Sequence, residues 1–250
     1  VELSGLVVFV TGANREKGIG RACVVEAIKR GASKVYATAR RVDDLTALAD
    51  QFGDKVVPVE LDVTNPEQIE RIAELASDTN VLLNNSGVCA FTGVIERYDA
   101  KAARQEMEVN YFGPLQLIHA FAPHLIRNKP AAIINISSTA GLLASPNAST
   151  YSASKAAVRS ITDTVRVELK PHGVAVIGVY PGPLETSMIE GWDIEKGSPA
   201  FAAGRIFDGL SKGADNVTTD SFSDHFHAYF KDDPEAVRTM KSRFEALSSG

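Results

Sequence analysis

Short apolar runs without alternation recur along the chain, and each is followed by a segment whose apolar positions repeat at helical spacing. Residues 6–10 (LVVFV), 34–39 (KVYATA), 56–61 (VVPVEL), 81–84 (VLLN), 131–136 (AAIINI) and 173–179 (GVAVIGV) are such runs, and unbroken apolarity marks strands covered on both faces. Between them, 19–30, 42–52, a stretch capped by Thr64 with Glu67 and running to about 77, 100–128, and the run after Ala148 read as helices. Strand-then-helix alternation requires parallel pairing through right-handed crossovers, which predicts an α/β chain built on a parallel sheet. Gly113-Pro114 lies inside the 100–128 helix and predicts a kink near Asn110, because proline donates no interior hydrogen bond. Tyr180-Pro181-Gly182-Pro183 stops the sixth strand. After Thr186 the pattern weakens. Residues 187–210 mix Met188, Trp192, Phe201 and Phe207 with glycines, which fits a substrate-covering segment over an apolar pocket and equally a surface helix pair packed on a neighbour. Residues 216–219 are expected to form a short seventh strand and 234–247 a last helix.

Composition narrows the classes without choosing among enzymes. A chain of 250 residues with 44% hydrophobic content buries one full core, so 1–250 is expected to be a single domain. The net charge of -5 comes with no basic run, which argues against nucleic-acid and polybasic membrane partners. Cys23 and Cys89 stand in unrelated segments, with neither a disulfide framework nor metal spacing, and His225 and His227 lack a partnering ligand motif; no metal is expected. No apolar run approaches the ~20 residues that span a bilayer, and a strand opens almost at once, so the expected setting is the reducing cytoplasm.

Between the first strand and the first helix lies TGANREKGIG. Gly12, Gly18 and Gly20, with Asn14, Arg15 and Ile19 among them, sit where backbone amides and a helix N-terminus can meet a pyrophosphate. The second strand ends at Thr38-Ala39 with no carboxylate to take a ribose 2'-OH and is followed by Arg40 and Arg41. Arg40, with Arg15 reaching from the glycine loop, therefore favours the 2'-phosphate of NADP(H) over NAD(H); the plainer alternative is a pair of solvated arginines. Asp62, at the exit of the third strand, suits an adenine amino group.

Candidate chemistry lies in ISSTAGLLASPNASTYSASK, residues 136–155. Ser137 and Ser138 leave a strand and face a helix on which Tyr151 and Lys155 stand four apart, on one face. A phenol titrates near ~10, so working near neutrality needs its anion stabilised by ~3 units, about 4 kcal/mol. A lysine charge at ~4 Å supplies ~4 kcal/mol at an effective dielectric of ~20. The phenol then serves as general acid or base, and Ser138 can hydrogen-bond the same substrate oxygen. A tyrosine and a lysine at this spacing also occur on many solvated helices; the glycine loop at the other end of the chain is what gives the pair meaning.

TG followed by GIG, then NNSG, Ser138, YSASK and PGPLET in this order resemble the short-chain dehydrogenase/reductase family over most of the chain. The resemblance implies a Rossmann-like, doubly wound, seven-stranded parallel sheet and hydride transfer between a nicotinamide and a small-molecule alcohol or carbonyl. It also implies roles. Tyr151 is the proton donor in carbonyl reduction, Lys155 lowers its pKa and holds the nicotinamide ribose, Ser138 orients the carbonyl, and Asn110 maintains a water-linked relay to the lysine. Gly12, Gly18 and Gly20 match the pyrophosphate loop, Asp62 and Val63 the adenine contacts, Asn85 and Gly87 the cofactor-side turn, Pro181 and Gly182 the turn after the sixth strand, and Thr186 the carboxamide anchor. A homodimer or homotetramer is the implied assembly, often through the helices that carry Asn110 and Tyr151. This chain departs from the family at Glu16 and Lys17, which look like an insertion in the glycine loop, at NNSG in place of NNAG, and in lacking the usual glycine-rich strand near its carboxyl end.

Overall fold

The computed structural model describes residues 1–232. Seven strands, β1 (Val7–Val10), β2 (Lys34–Ala39), β3 (Val56–Glu60), β4 (Val81–Asn84), β5 (Ala131–Ile136), β6 (Val174–Tyr180) and β7 (Asn216–Thr218), pair in parallel in the order β3-β2-β1-β4-β5-β6-β7. Each side of the sheet carries its own core. Along β1 the pleat sends Val8 and Val10 to one face and Phe9 to the other. On the first face they meet Cys23, Val24 and Ala27 of α1 (Ile19–Lys29), Leu48 of α2 (Thr46–Phe52), and Ile206, Phe207 and Leu210 of α7 (Pro199–Lys212). On the second, Phe9 joins Ile69 of α3 (Pro66–Leu75), Leu117 and Phe121 of α5 (Gly113–Arg127) and Val165 of α6 (Ser149–Leu169). The parallel α/β sheet expected from the alternation is observed, in the doubly wound, seven-stranded form that the resemblance implies. Because β1 is flanked by β2 and β4, successive crossovers diverge there and leave a crevice beyond the carboxyl ends of the strands.

Local departures from the sequence reading have local causes. Asn65, not Thr64, caps α3: its side chain accepts the Gln68 N–H at 3.0 Å, while the Thr64 hydroxyl donates to Asp62 Oδ1 at 2.7 Å. Pro66 decides this, because a ring that lacks an N–H is at home at the first helical position and sets the cap one residue before it. The kink expected near Asn110 is a π-helical turn over Glu108–Phe112, which joins α4 (Ala100–Met107) to α5 and carries Asn110 into the interior.

The segment 187–210 divides. Residues up to Trp192 reach the crevice, whereas α7 buries Ala202, Ala203, Ile206, Phe207 and Leu210 in the core beside α1, so the latter half supports the sheet. A last helix among the described residues, α8 (Ser221–Asp232), follows β7; the helix expected over 234–247 lies outside the described residues. His225 is exposed, while the His227 ring lies half-buried, 6.2 Å from that of Tyr180.

Candidate active site

A cavity of about 1110 Å³ occupies the crevice and runs from the exit of β2 to the exit of β6. At one end the sequence folds as glycine requires. Gly12 holds φ +68 and a Cβ there would come within 2.9 Å of Ser86 Oγ; a Cβ on Gly18 would come within 2.9 Å of the Arg15 carbonyl. Gly18 opens α1 with no side-chain cap, which leaves the amides of the first turn to whatever enters. Gly12, Asn14, Arg15, Gly18, Ile19, Arg40, Asp62 and Val63 line this end. Gly20 does not. It lies beneath the loop, where a Cβ would stand 2.4 Å from the Gly12 carbonyl oxygen and 2.5 Å from Asn85 Nδ2, so its smallness serves the packing of helix on loop.

Asn85 ties the same loop down, its carboxamide donating to the carbonyls of Thr11 and Gly12 at 2.8 and 3.1 Å. Asn84 donates to the Asn135 side chain at 2.8 Å. The two additional residues of the loop, Glu16 and Lys17, turn outward, and Lys17 Nζ stands 4.0 Å from Glu185. Arg41 pairs with Asp44 at 2.5 Å, whereas Arg15 and Arg40 have no hydrogen bond or ion pair to any of the described residues. Two uncommitted guanidiniums on a cradle shaped by glycines fit a phosphorylated dinucleotide.

At the other end Asn85, Gly87, Ser138, Tyr151, Lys155, Pro181, Gly182 and Thr186 converge on the same cavity. Burial pushes the Tyr151 phenol well above its usual range, a hydrogen bond with Ser138 draws it part of the way back, and the acidic groups of Cys89 and Glu106 nearby push it up further. Lys155 is 4% exposed, and burial lowers it to about 8, opposed by Cys89. Its ammonium donates to the Ile136 carbonyl at 2.8 Å and lies 5.7 Å from the centre of the Tyr151 ring. The one-turn spacing sets the ammonium over the face of the Tyr151 ring, and desolvation pushes both groups toward neutrality.

Asn110 is buried behind the cavity lining. Its side chain accepts the Val88 N–H at 2.8 Å and donates to the Val88 carbonyl and to Ser154 Oγ, both at 2.9 Å. Missed by the sequence reading were Val88, Cys89, Phe91 and Phe222 in the lining, and Asp220, whose carboxylate accepts the Gly182 N–H at 2.9 Å and fixes the turn after β6. No spacing rule points to them, since each reaches the site through tertiary contact. Among the described residues no group of three or more His, Cys, Asp or Glu side chains converges as a metal site, and no helix is long and apolar enough to cross a membrane.

The model of the short chain dehydrogenase family matches residues 6–196. The chain belongs to that family. "Short chain dehydrogenase pigC" of Monascus ruber is 34% identical over 206 residues, covering 77% of this chain and 67% of that protein. The "3-oxoacyl-[acyl-carrier-protein] reductase FabG" of Vibrio cholerae is 32% identical over 215 residues, 83% of this chain and 86% of that protein. Among solved structures, a short chain dehydrogenase from Burkholderia cenocepacia in complex with NADP superposes with a TM-score of 0.90 at 39% identity, covering 96% of this chain and 99% of that one. This short-chain dehydrogenase is therefore an oxidoreductase of a family that uses nicotinamide cofactors.

Proposed function

We propose that this short-chain dehydrogenase is an NADP(H)-dependent carbonyl reductase or alcohol dehydrogenase that interconverts a ketone or aldehyde and an alcohol, with Tyr151 as general acid and base. The observation that carries the reading is the convergence of Ser138, Tyr151 and Lys155 on the cavity that the glycine loop, Arg15 and Arg40 open at its far end. Arg40 follows β2 and Ser138 follows β5, three strand spacings or roughly 14 Å away, a span for an extended cofactor. The guanidiniums of Arg15 and Arg40, unpaired among the described residues, and the absence of an acid at Thr38 and Ala39 support the 2'-phosphorylated form. So does the relative from Burkholderia cenocepacia, solved with NADP.

When bound, the nicotinamide supplies or accepts the hydride. In reduction, Ser138 and Tyr151 hydrogen-bond the carbonyl oxygen, and the Tyr151 O–H bond breaks as its proton passes to that oxygen, which becomes the alcohol hydroxyl. The phenolate left behind is balanced by the Lys155 ammonium already in place, in a site that disfavours either charge alone. Asn110 holds the Val88 backbone and Ser154, which positions the α6 face that bears both groups. The assembly belongs to the same proposal: a homodimer or homotetramer would cover Phe112 and Val167, which are exposed beside Asn110 and on α6.

Steady oxidation of NADPH, followed at its absorbance with a panel of ketones and aldehydes, tests the reading. Tyr151→Phe should lower kcat by about 10²- to 10⁴-fold with NADPH affinity unchanged. Full turnover by that variant would remove the mechanism, and a protein that binds NADPH but reduces nothing would be a dinucleotide sensor on the same scaffold.

A further inference from the structure

One wall of the cavity takes no part in this mechanism. Two loops build it, one leaving β4 and the other leaving β6, the neighbours of β5 in the sheet. From the first comes Phe91 and from the second Trp192; both line the cavity, and their rings meet at 5.2 Å between centroids with planes inclined by 48°. Phe91 holds φ 53, a left-handed backbone that a residue with a Cβ adopts only when its surroundings impose it.

The restraints are visible. The Phe91 N–H hydrogen-bonds to the Cys89 thiol, Val88 is pinned through both its N–H and its carbonyl by Asn110, and the Ala90 N–H donates to Glu106 Oε1 at 2.7 Å. Glu106 is 1% exposed, and its other oxygen accepts the hydroxyl of Thr150, the residue before Tyr151. One buried carboxylate thus fixes the loop that presents Phe91 to the helical turn that presents the reacting phenol.

The lining contributed by 85–91, 136–151 and 181–192 contains no charged side chain. Charged lining residues stand elsewhere: at the dinucleotide end, on α4 and the π turn as Lys101 and Glu108, and at Lys155, whose ammonium is already engaged with the Ile136 carbonyl. A carboxylate or phosphate on the substrate would therefore meet desolvation on this wall without a cation to offset it. A flat apolar group would meet two tilted rings together with Met188 and Ile189, surfaces suited to edge-to-face and sulfur–aromatic contact.

We propose that the Phe91–Trp192 pair, held in register with Tyr151 by Glu106, selects uncharged carbonyl compounds that carry an aromatic ring next to the reacting carbon. The proposal rests on the carbonyl-reductase reading and narrows it. Phe91 and Trp192 are specificity-determining residues, and Glu106 is a positioning residue that acts through the loop.

The test compares kcat/KM for NADPH-dependent reduction of acetophenone, butanone and phenylglyoxylate. Wild type should prefer acetophenone to phenylglyoxylate by at least about tenfold, the size of a single well-formed pocket contact. Trp192→Ala and Phe91→Gly, the latter a residue that takes the left-handed conformation without strain, should lose about tenfold or more on acetophenone, mainly in KM, and only about threefold on butanone. Glu106→Ala should reproduce the selectivity loss of Phe91→Gly, and Glu106→Gln, which still accepts from Ala90 and can donate to Thr150, should restore the wild-type preference. Equal losses on both ketones, or a wild type that takes phenylglyoxylate as readily as acetophenone, would overturn the proposal while leaving the reductase reading intact. A wild type that turns over none of the compounds would instead remove the reductase reading, and this proposal with it.

Discussion

At the β1–β3 end of the cavity the lining is backbone and charge, with Gly12 and Gly18 giving room and Arg15, Arg40 and Asp62 giving sign. At the β4–β6 end it is rings, aliphatic groups and hydroxyls around Tyr151 and Lys155, and what charge there is has been driven toward neutrality by burial. The first end discriminates by electrostatics through exposed arginines, where a wrong partner is rejected by an unpaired charge. The second discriminates by shape and controls protons by desolvation, which works only if water is excluded and the groups cannot turn away. Both ends give up stability, in different ways: the glycine loop leaves the first-turn amides of α1 without a side-chain cap, whereas the substrate end keeps an ammonium in an interior that resists it.

Three substitutions sharpen or break this contrast, in falling order of expected effect. Gly20→Ala attacks the dinucleotide end through packing alone. Its Cβ would stand 2.4 Å from a backbone oxygen that cannot swing aside, so a loss of about 3 kcal/mol, the upper part of the overpacking range, is expected in urea unfolding, together with weakened NADPH binding. A variant of wild-type stability would show the loop to be freer than its contacts imply.

Lys155→Met addresses the substrate end and should have the opposite sign. Lowering a lysine from 10.5 to about 8 corresponds to about 3 kcal/mol of burial penalty, from which about 1 kcal/mol is subtracted for the lost hydrogen bond to Ile136, so the inactive variant should be more stable by about 2 kcal/mol at pH 7. The sign against pH follows from proton binding. Between about 8 and 10.5 the folded chain binds fewer protons than the unfolded one, so the penalty is complete below about pH 8 and relieved as pH rises through that window. The stability difference between variant and wild type should therefore shrink from pH 8 to pH 10; a constant difference would mean that Lys155 titrates normally.

Arg40→Asp is the smallest change and the most selective. Replacing a free guanidinium by a carboxylate should move the NADPH to NADH ratio of kcat/KM by at least about tenfold toward NADH, without altering the acetophenone to butanone ratio set at the other end. An unmoved cofactor ratio would return Arg40 to the status of a solvated side chain.

The strands, most helices, the glycine loop and the Tyr151–Lys155 spacing were legible along the chain, because each depends on neighbours within one turn or one loop. TGANREKGIG codes its own turn and helix start, and Tyr151 with Lys155 needs nothing beyond a helical period. Where the reading slipped or stayed open, a competing local rule or a distant partner decided: Pro66 moved the cap from Thr64 to Asn65, and packing against α1 places the later part of 187–210 in the core. Phe91, Glu106 and Asp220 gave no signal, since their roles exist only once β4, β6, β7 and α6 are side by side.

The sequence by itself determined the alternation of buried strands and helices, the glycine cradle and the pairing of a phenol with an ammonium, for these follow from periodicity and short-range geometry. Tertiary structure alone decided the protonation balance of that pair and the form of the wall beside it. Desolvation depends on everything packed around a group, and no spacing along one chain records that.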